Sequence, residues 1–569
     1  MKGKRFNQII GKRIGALLLA VLVLFETSGC GKTNRLENAT QMQEINDQLT
    51  LTAAPTNYGS TYEIFIGSFY DSDGDGMGDL KGVQEKLDYI NDGDDATVSD
   101  LGCNAIWFMP VSKSDSYHKY DVIDYKSIDS DYGTMEDFDE LVTACHERGI
   151  RVILDMVINH TSSSHPWFVK ASEYLENLED GAEPDLEECP YVDYYHFSRE
   201  KQEGYAALGN SGWYYEARFW EGMPDLNLDS EAVREELLDV AQYWIDHDVD
   251  GFRMDAVLYY YTGNNDKNIE FMNWYNDALK AMKDDFYIVA EAWTSQDIYS
   301  TYYASGFDSY FDFAFAGQDG VIAKTVNGTY SAYDYAKAQV KEQELYSSYQ
   351  EDYINAPFYT NHDLPRSAGY YAGDDGVKTK FAGGLNLMMS GNAFVYYGEE
   401  LGMKGSGKDE NKRGAMYWTA DEDAEGMCDG PVGMDDFEQK FAAYDEQAED
   451  ALSIYEYYRN AIRLRSAYPA IAAGRVAICE DISGDEVCVY TKSLDGEKTV
   501  IIAVNNTEEK KEVTLTEDGD FTDSVLKDAS LDVSSLDIGG VLLTSQDEAK
   551  YKDGNLEVPA YGIVVVCEE

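Results

Sequence analysis

The chain of 569 residues is expected to build a (β/α)8 barrel, with a small domain inserted after the third strand and a separate antiparallel β-domain at its C-terminus. Three observations predict this. From Thr61 onward, short apolar runs alternate with helical patterns, as in a parallel sheet wrapped by helices. The interval 161–229 is too long for an ordinary strand-to-helix connection. Beyond a last helical stretch at 451–467 the pattern changes to alternating strands such as 486–492 and 499–505.

The N-terminus is read separately. Lys2, Lys4, Arg5, Lys12 and Arg13 precede an apolar run at 14–25 that is short for a bilayer span, so 1–29 reads as a signal segment. Thr27-Ser28-Gly29-Cys30 resembles a bacterial lipobox, which would make Cys30 the lipidated first residue of the mature chain. Residues 30–57 are then a polar tether holding an extracytoplasmic enzyme at the membrane surface through that lipid alone.

The barrel strands are placed at 62–68, 104–110, 151–157, 251–255, 287–291, 310–313, 356–360 and 393–397. The barrel occupies 58–160 and 230–470, the insertion 161–229 and the C-terminal domain 471–569. Thr134-Met135-Glu136-Asp137 has the form of a capping box, followed by Phe138, Leu141, Val142 and Cys145 at helical spacing. Asp229 or Ser230 caps a helix with the stripe Val233, Leu237, Ala241 and Trp244.

An aromatic content of 13%, with 45 tyrosines, belongs to a folded protein and excludes a disordered one. The net charge of −61 becomes −65 once the leader's five basic residues and Glu26 are removed. Such a surface repels nucleic acid and anionic lipid, so a neutral or cationic partner is expected. The seven cysteines after Cys30 are odd in number and widely spaced; Cys479 and Cys488 could face each other across a hairpin. No CxxC, HxxxH or HExxH spacing suggests zinc.

The chemistry-bearing stretches fall at predicted strand ends, where such a barrel keeps its active site. They are Tyr117-His118-Lys119-Tyr120-Asp121-Val122, Asp155-Met156-Val157-Ile158-Asn159-His160, Gly251-Phe252-Arg253-Met254-Asp255-Ala256, Ala290-Glu291-Ala292-Trp293 and Thr360-Asn361-His362-Asp363. Strand alternation points Arg253 and Asp255 the same way, so the guanidinium keeps the carboxylate ionised, as a nucleophile requires. Glu291 has the apolar neighbours Ala290, Ala292 and Trp293 that raise a carboxyl pKa and suit a general acid. A structural Arg–Asp pair is the alternative for the hexapeptide alone; the other stretches favour catalysis.

In this order the stretches resemble the α-amylase family of retaining glycoside hydrolases, family 13. Met223-Pro224-Asp225-Leu226-Asn227 and Tyr397-Gly398-Glu399-Glu400-Leu401-Gly402-Met403 extend the likeness, which runs from about Tyr62 to the C-terminus. The resemblance implies a catalytic barrel, an inserted domain B and a C-terminal β-sandwich, domain C. It implies Asp255 as nucleophile, Glu291 as acid/base and Asp363 as a third carboxylate accepting sugar hydroxyls. His118, His160 and His362 would bind sugar, Tyr120 would stack on it, and Asp155 would orient its neighbours. Arg366 resembles a position used by oligo-glucosidases.

Asp71-Ser72-Asp73-Gly74-Asp75-Gly76-Met77-Gly78-Asp79 alternates carboxylates with glycines, an oxygen cage suited to calcium. It is no EF-hand, because the twelfth position is Gly82. It resembles the calcium loop of oligo-1,6-glucosidase-like and intermediate-type members, with Asp71, Asp73, Asp75, the Met77 carbonyl and Asp79 as ligands.

The resemblance to that intermediate subgroup implies a monomeric, extracytoplasmic α-amylase cleaving internal α-1,4 bonds of starch and maltooligosaccharides. Many amylases carry Lys-His shortly after the nucleophile, where this chain has Val257-Leu258-Tyr259. An α-glucosidase or neopullulanase-like enzyme that also takes α-1,6 bonds is therefore the second reading. A glucan-binding protein without activity is the third, and the presence of all three carboxyls speaks against it.

Overall fold

The computed structural model describes residues 38–52, 55, 57–179 and 181–568. The leader, Cys30 and the first part of the expected tether lie outside them. Among the described residues, no helix is long and apolar enough to cross a membrane.

Eight parallel strands form the central sheet: β1 (Gly59–Ile64), β2 (Ala105–Phe108), β3 (Arg151–Met156), β4 (Gly251–Met254), β5 (Tyr287–Ala290), β6 (Ser309–Phe311), β7 (Ile354–Ala356) and β8 (Asn392–Tyr396). Their spatial order is β7-β6-β5-β4-β3-β2-β1-β8. A parallel bridge between Phe358 and Phe394, with Phe394 N donating to the Pro357 carbonyl at 2.8 Å, joins the two edges and closes the barrel.

The period of two sorts the side chains. Trp107, Ile153, Tyr287, Val289, Phe311, Ala356, Phe358 and Phe394 fill the barrel interior. Their neighbours Ile106, Val152, Leu154, Phe252, Met254, Ile288 and Tyr310 face the surrounding helices. Gly251 opens β4 because a Cβ there would lie 2.5 Å from the Tyr287 carbonyl oxygen. The helices follow the caps read from sequence. Thr134 Oγ1 accepts from Asp137 N (3.2 Å) at the start of Met135–Glu147, and Ser230, not Asp229, caps Glu231–Asp246.

Between β3 and Glu231–Asp246 the chain forms helix Pro166–Glu176 and a three-stranded antiparallel sheet of Phe197–Ser198, Tyr205–Leu208 and Trp213–Glu216. Bridges from His160 to Asp225 and from Tyr195 to Leu226 bring this insertion back over the end of β3. The C-terminal region carries a five-stranded antiparallel sheet, Arg475–Ile478, Val487–Ser493, Val500–Asn505, Ile563–Glu568 and Leu536–Leu542 in spatial order, and a smaller three-stranded one.

Two expectations are corrected. The tether does not run free to residue 57: Gln41–Asn46 is a short helix docked on the C-terminal sheet. Asn46 Nδ2 donates to the Val541 carbonyl (2.7 Å), Val541 N donates back to Asn46 Oδ1 (3.1 Å), and Asp47 pairs with Arg459 (3.0 Å). Met42 supplies the apolar contact that polarity counting hides, being 1% exposed. Cys479 and Cys488 are both free thiols, so the bridge considered across the hairpin does not form.

Candidate active site

The C-terminal ends of β1, β3, β4, β5 and β7 converge on one arginine-centred cluster. Arg253, on the inward face of β4, is 1% exposed. Its Nη1 reaches both oxygens of Asp155 at 2.9 Å and Asp255 Oδ1 at 2.6 Å, and its Nη2 lies 3.0 Å from Glu291 Oε2. One guanidinium therefore holds Asp255 and Glu291 side by side. A buried cation facing three carboxylates is itself well paired, which is what burial of charge requires.

The turn after β4 aims these groups. Ala256 takes a left-handed backbone (φ 51°), unusual for a residue with a Cβ, and its N–H donates to Glu291 Oε2 at 3.1 Å. Burial pushes the Glu291 carboxyl up to about 7, with the Asp255 and Asp363 charges adding to it and Arg253 opposing. The acid is thus largely protonated in mildly acidic solution, ready to donate.

Beyond β7, Asp363 is held from two sides. His362 Nε2 lies 3.1 Å from Asp363 Oδ2, and Arg413 Nη2 lies 3.1 Å from Oδ1. Although burial opposes ionisation, His362 and Arg413 keep this carboxyl well below the usual carboxylate range. Lys412 Nζ also donates to the Asp363 carbonyl (2.8 Å). Tyr120 Oη bridges Asp155 Oδ2 (3.0 Å) and His362 Nε2 (2.7 Å), with its ring stacked on the His362 ring.

An open cavity of about 550 Å³ lies over these groups. Its polar wall is His118, Tyr120, Asp363 and Arg413; its apolar wall is Phe219, Met223, Leu258, Tyr259 and Trp293; Asp255 and Glu291 sit between. Phe219, from the insertion, contacts both His160 (5.1 Å) and Tyr259 (5.0 Å). His118 Nδ1 accepts from Tyr120 N (3.1 Å), which leaves Nε2 as its donor. Among the described residues, His160 Nε2 has no hydrogen-bond partner although it is buried.

The structure gathers Asp255, Glu291, Asp363, Arg253, Asp155, Tyr120, His118, His160 and His362 into this one site. Asp155 lies behind it, fully covered by Arg253 and Tyr120, and orients both. Arg366 is corrected: it is 2% exposed and its guanidinium is occupied by the carbonyls of Tyr397 (2.6 Å) and Lys412 (2.9 Å), so it braces loops instead of facing the cavity. Arg413, Phe219 and Glu63 escaped sequence reading as site residues, as did Met223, Leu258, Tyr259 and Trp293 of the apolar wall. Glu63 left a signal, as the one charged residue inside the apolar run of β1.

In the acidic loop, oxygens of Asp71, Asp73 and Asp79 lie within 4.8 Å of one another. Asp71 is 5% exposed, and its two oxygens accept from Gly74 N (2.7 Å) and Gly76 N (2.8 Å), which fixes the loop's curl. Asp75 lies outside this trio, and its Oδ1 accepts from Met77 N (2.8 Å). Three hard carboxylates so close together are a donor set that fits calcium.

Residues 63–474 match the family model described as alpha amylase, catalytic domain. "Alpha-amylase 3" of Dictyoglomus thermophilum is 37% identical over 78% of the chain and 84% of its own length. An oligo-1,6-glucosidase of Parageobacillus thermoglucosidasius is 28% identical over 78% and 88%. The solved structure of Eubacterium rectale Amy13B superposes with a TM-score of 0.88 at 45% identity, covering 94% of this chain and all of that one.

Proposed function

The chain belongs to the α-amylase family of glycoside hydrolases, and from that premise we propose that it is a retaining α-amylase cleaving internal α-1,4 bonds of starch-like glucans. The observation that carries the reading is the Asp255–Arg253–Glu291 bridge at the floor of an open, aromatic-walled cavity. Retaining glycosidases set two carboxyls about 5–5.5 Å apart, one to attack and one to protonate. Asp255, charge-paired with Arg253, attacks the anomeric carbon and forms a glycosyl ester while protonated Glu291 passes its proton to the departing oxygen. Glu291, now ionised, takes a proton from water, which opens the ester with the second inversion.

Around the reacting sugar, Asp363 accepts hydroxyl hydrogen bonds, His118 donates from Nε2, and His160 offers its unpaired Nε2. Tyr120 provides a ring face. Exposed aromatics running outward, Phe219, Tyr259 and Trp293, suit a polymer whose further rings bind by their apolar faces.

Asp71, Asp73 and Asp79, with Asp75 and the Met77 carbonyl as further donors, would hold a calcium ion of structural role. Asp71 N donates to the Gly426 carbonyl (3.1 Å) and Asp429 N to that of Gly76 (2.8 Å), so order in this loop passes to the segment that follows Arg413. Lipidation at Cys30 would keep the enzyme outside the cytoplasm at the membrane; loss of membrane fractionation in Cys30→Ala tests this.

The oligo-1,6-glucosidase relative and the sequence Val257-Leu258-Tyr259 favour a second reading, a debranching or neopullulanase-like α-glucosidase. Early products separate the two. An endo-acting amylase abolishes the iodine colour of starch before glucose accumulates and leaves pullulan largely intact, whereas glucose or panose as the first product overturns the α-amylase reading.

A further inference from the structure

His362 stands between two carboxylates, one beside it in the loop after β7 and one on β1, with only β8 between those two strands. On one side is Asp363, already described. On the other is Glu63, on the inward face of β1, whose Oε1 lies 2.6 Å from His362 Nδ1; both side chains are 1% exposed. A carboxylate only accepts hydrogen bonds, so Nδ1 carries the proton. Burying a glutamate inside a barrel strand is costly unless it faces a cation, and the group it meets is His362. We propose that Glu63 is a positioning residue of the catalytic site: it holds His362 as a doubly protonated imidazolium, whose Nε2–H keeps Asp363 ionised and aimed at the sugar. The proposal rests on the glycosidase reading of Asp363.

The groups packed around the ring fit this. From the loop after β2, Tyr120 stacks on it and sets its hydroxyl 2.7 Å from Nε2. Trp107 of β2 meets it edge-on at 5.6 Å and carries no charge. Asp155 and Arg253 reach it only through Tyr120, and Arg413 only through Asp363. Glu63 and Asp363 are thus the charges in direct contact, and both are negative. Burial would favour the neutral ring, but Asp363 and Glu63 outweigh it and raise its pKa to about 9. The sign follows. With its folded pKa raised, His362 is charged throughout the range where Glu291 is protonated, and it loses the charge only above about pH 9.

Glu63→Gln removes one of the two charges while keeping an oxygen for Nδ1–H. The His362 titration should then move down by at least about one pH unit and enter the range in which Glu291 titrates. The measurement is the 15N shift of the imidazole nitrogens in the full-length, calcium-supplemented enzyme, with the His362 signal assigned through His362→Gln. Beside it run pH profiles of kcat and kcat/KM on maltotriose. Expected is a lower His362 midpoint, with an alkaline limb that steepens from one proton to two. The rate at pH 8 should fall at least about twofold further than the rate at pH 5.5, and Glu63→Asp should restore much of the wild-type profile. An unchanged midpoint and an unchanged limb shape in Glu63→Gln would overturn the proposal, even if the rate fell uniformly. An inactive wild type in which Glu63→Gln still lowers the midpoint would sink the glycosidase reading and leave the Glu63–His362 pair standing.

Discussion

At the scale of single residues, the proposed mechanism divides the labour between two acids with different surroundings. Asp255 has a 2.6 Å contact to Arg253, whereas Glu291 is pushed up to about 7 by burial, reinforced by neighbouring negative charge. Because the acid must enter the reaction protonated, kcat/KM is expected to fall as pH rises through about 7, and Glu291→Gln should abolish that limb with the activity. Asp255→Asn should still bind maltooligosaccharide, measured by calorimetry, yet turn over at least ~10³-fold more slowly, because only the nucleophile is missing. The Arg253–Asp255 pairing was legible in sequence, since strand alternation by itself places the two side chains on one face. Glu63 and Arg413 were not, because their partners are remote in sequence: His362 lies 299 positions from Glu63, and Tyr117 and Asp363 lie 296 and 50 positions from Arg413. Arg366 was misread for the same reason. Its spacing from Asp363 is right for the cavity, but two backbone carbonyls claim its guanidinium.

At the scale of elements, the cavity depends on segments brought together from three places. The apolar wall pairs Phe219 of the insertion with Tyr259 of the turn after β4 at 5.0 Å. An aromatic contact of this kind adds about 0.5–1.5 kcal/mol beyond area burial, so Phe219→Ala should raise KM for long maltooligosaccharides about 2- to 10-fold while leaving kcat near its starting value. Equal losses in kcat would place Phe219 at the bond being broken instead. The acidic loop makes a second prediction at this scale. A bound ion stabilises only the folded state, so the Tm should climb with calcium concentration. Asp71→Asn should lose that dependence, and a Tm indifferent to calcium and chelator would remove the ion from the account. The eight strands were readable because each is a short apolar run bounded by breakers. The docked helix Gln41–Asn46 was not, since its fixing bonds come from glutamine and asparagine side chains that composition counts as solvent-loving.

At the scale of the whole molecule, closure of the barrel is what turns separate strand ends into a site. Arg465, 1% exposed in the last barrel helix, donates to the carbonyls of Gly59 (2.9 Å), Leu387 (2.8 Å) and Gly391 (2.5 Å), tying the first strand to the approach of the last. Lys380, in the first turn of helix Val377–Leu387 that precedes β8, reaches the Leu452 and Thr544 carbonyls, both at 2.8 Å, and fastens the C-terminal domain to that helix. Sequence periodicity announced eight strands but not these arginine and lysine anchors, whose acceptors are backbone oxygens and leave no mark on composition. The account's central claim is that this closure sets Asp255 and Glu291 on one glycosidic bond, with Asp255 as the atom donor to the covalent ester. Its most direct test is peptide mass spectrometry of Glu291→Gln treated with an α-maltosyl fluoride, which carries its own leaving group and so needs no acid to react. The account predicts a stable maltosyl adduct on the peptide containing Asp255; an adduct on Asp363, or α-fluoride turnover that yields the β-anomer with no adduct on any carboxyl, would contradict it.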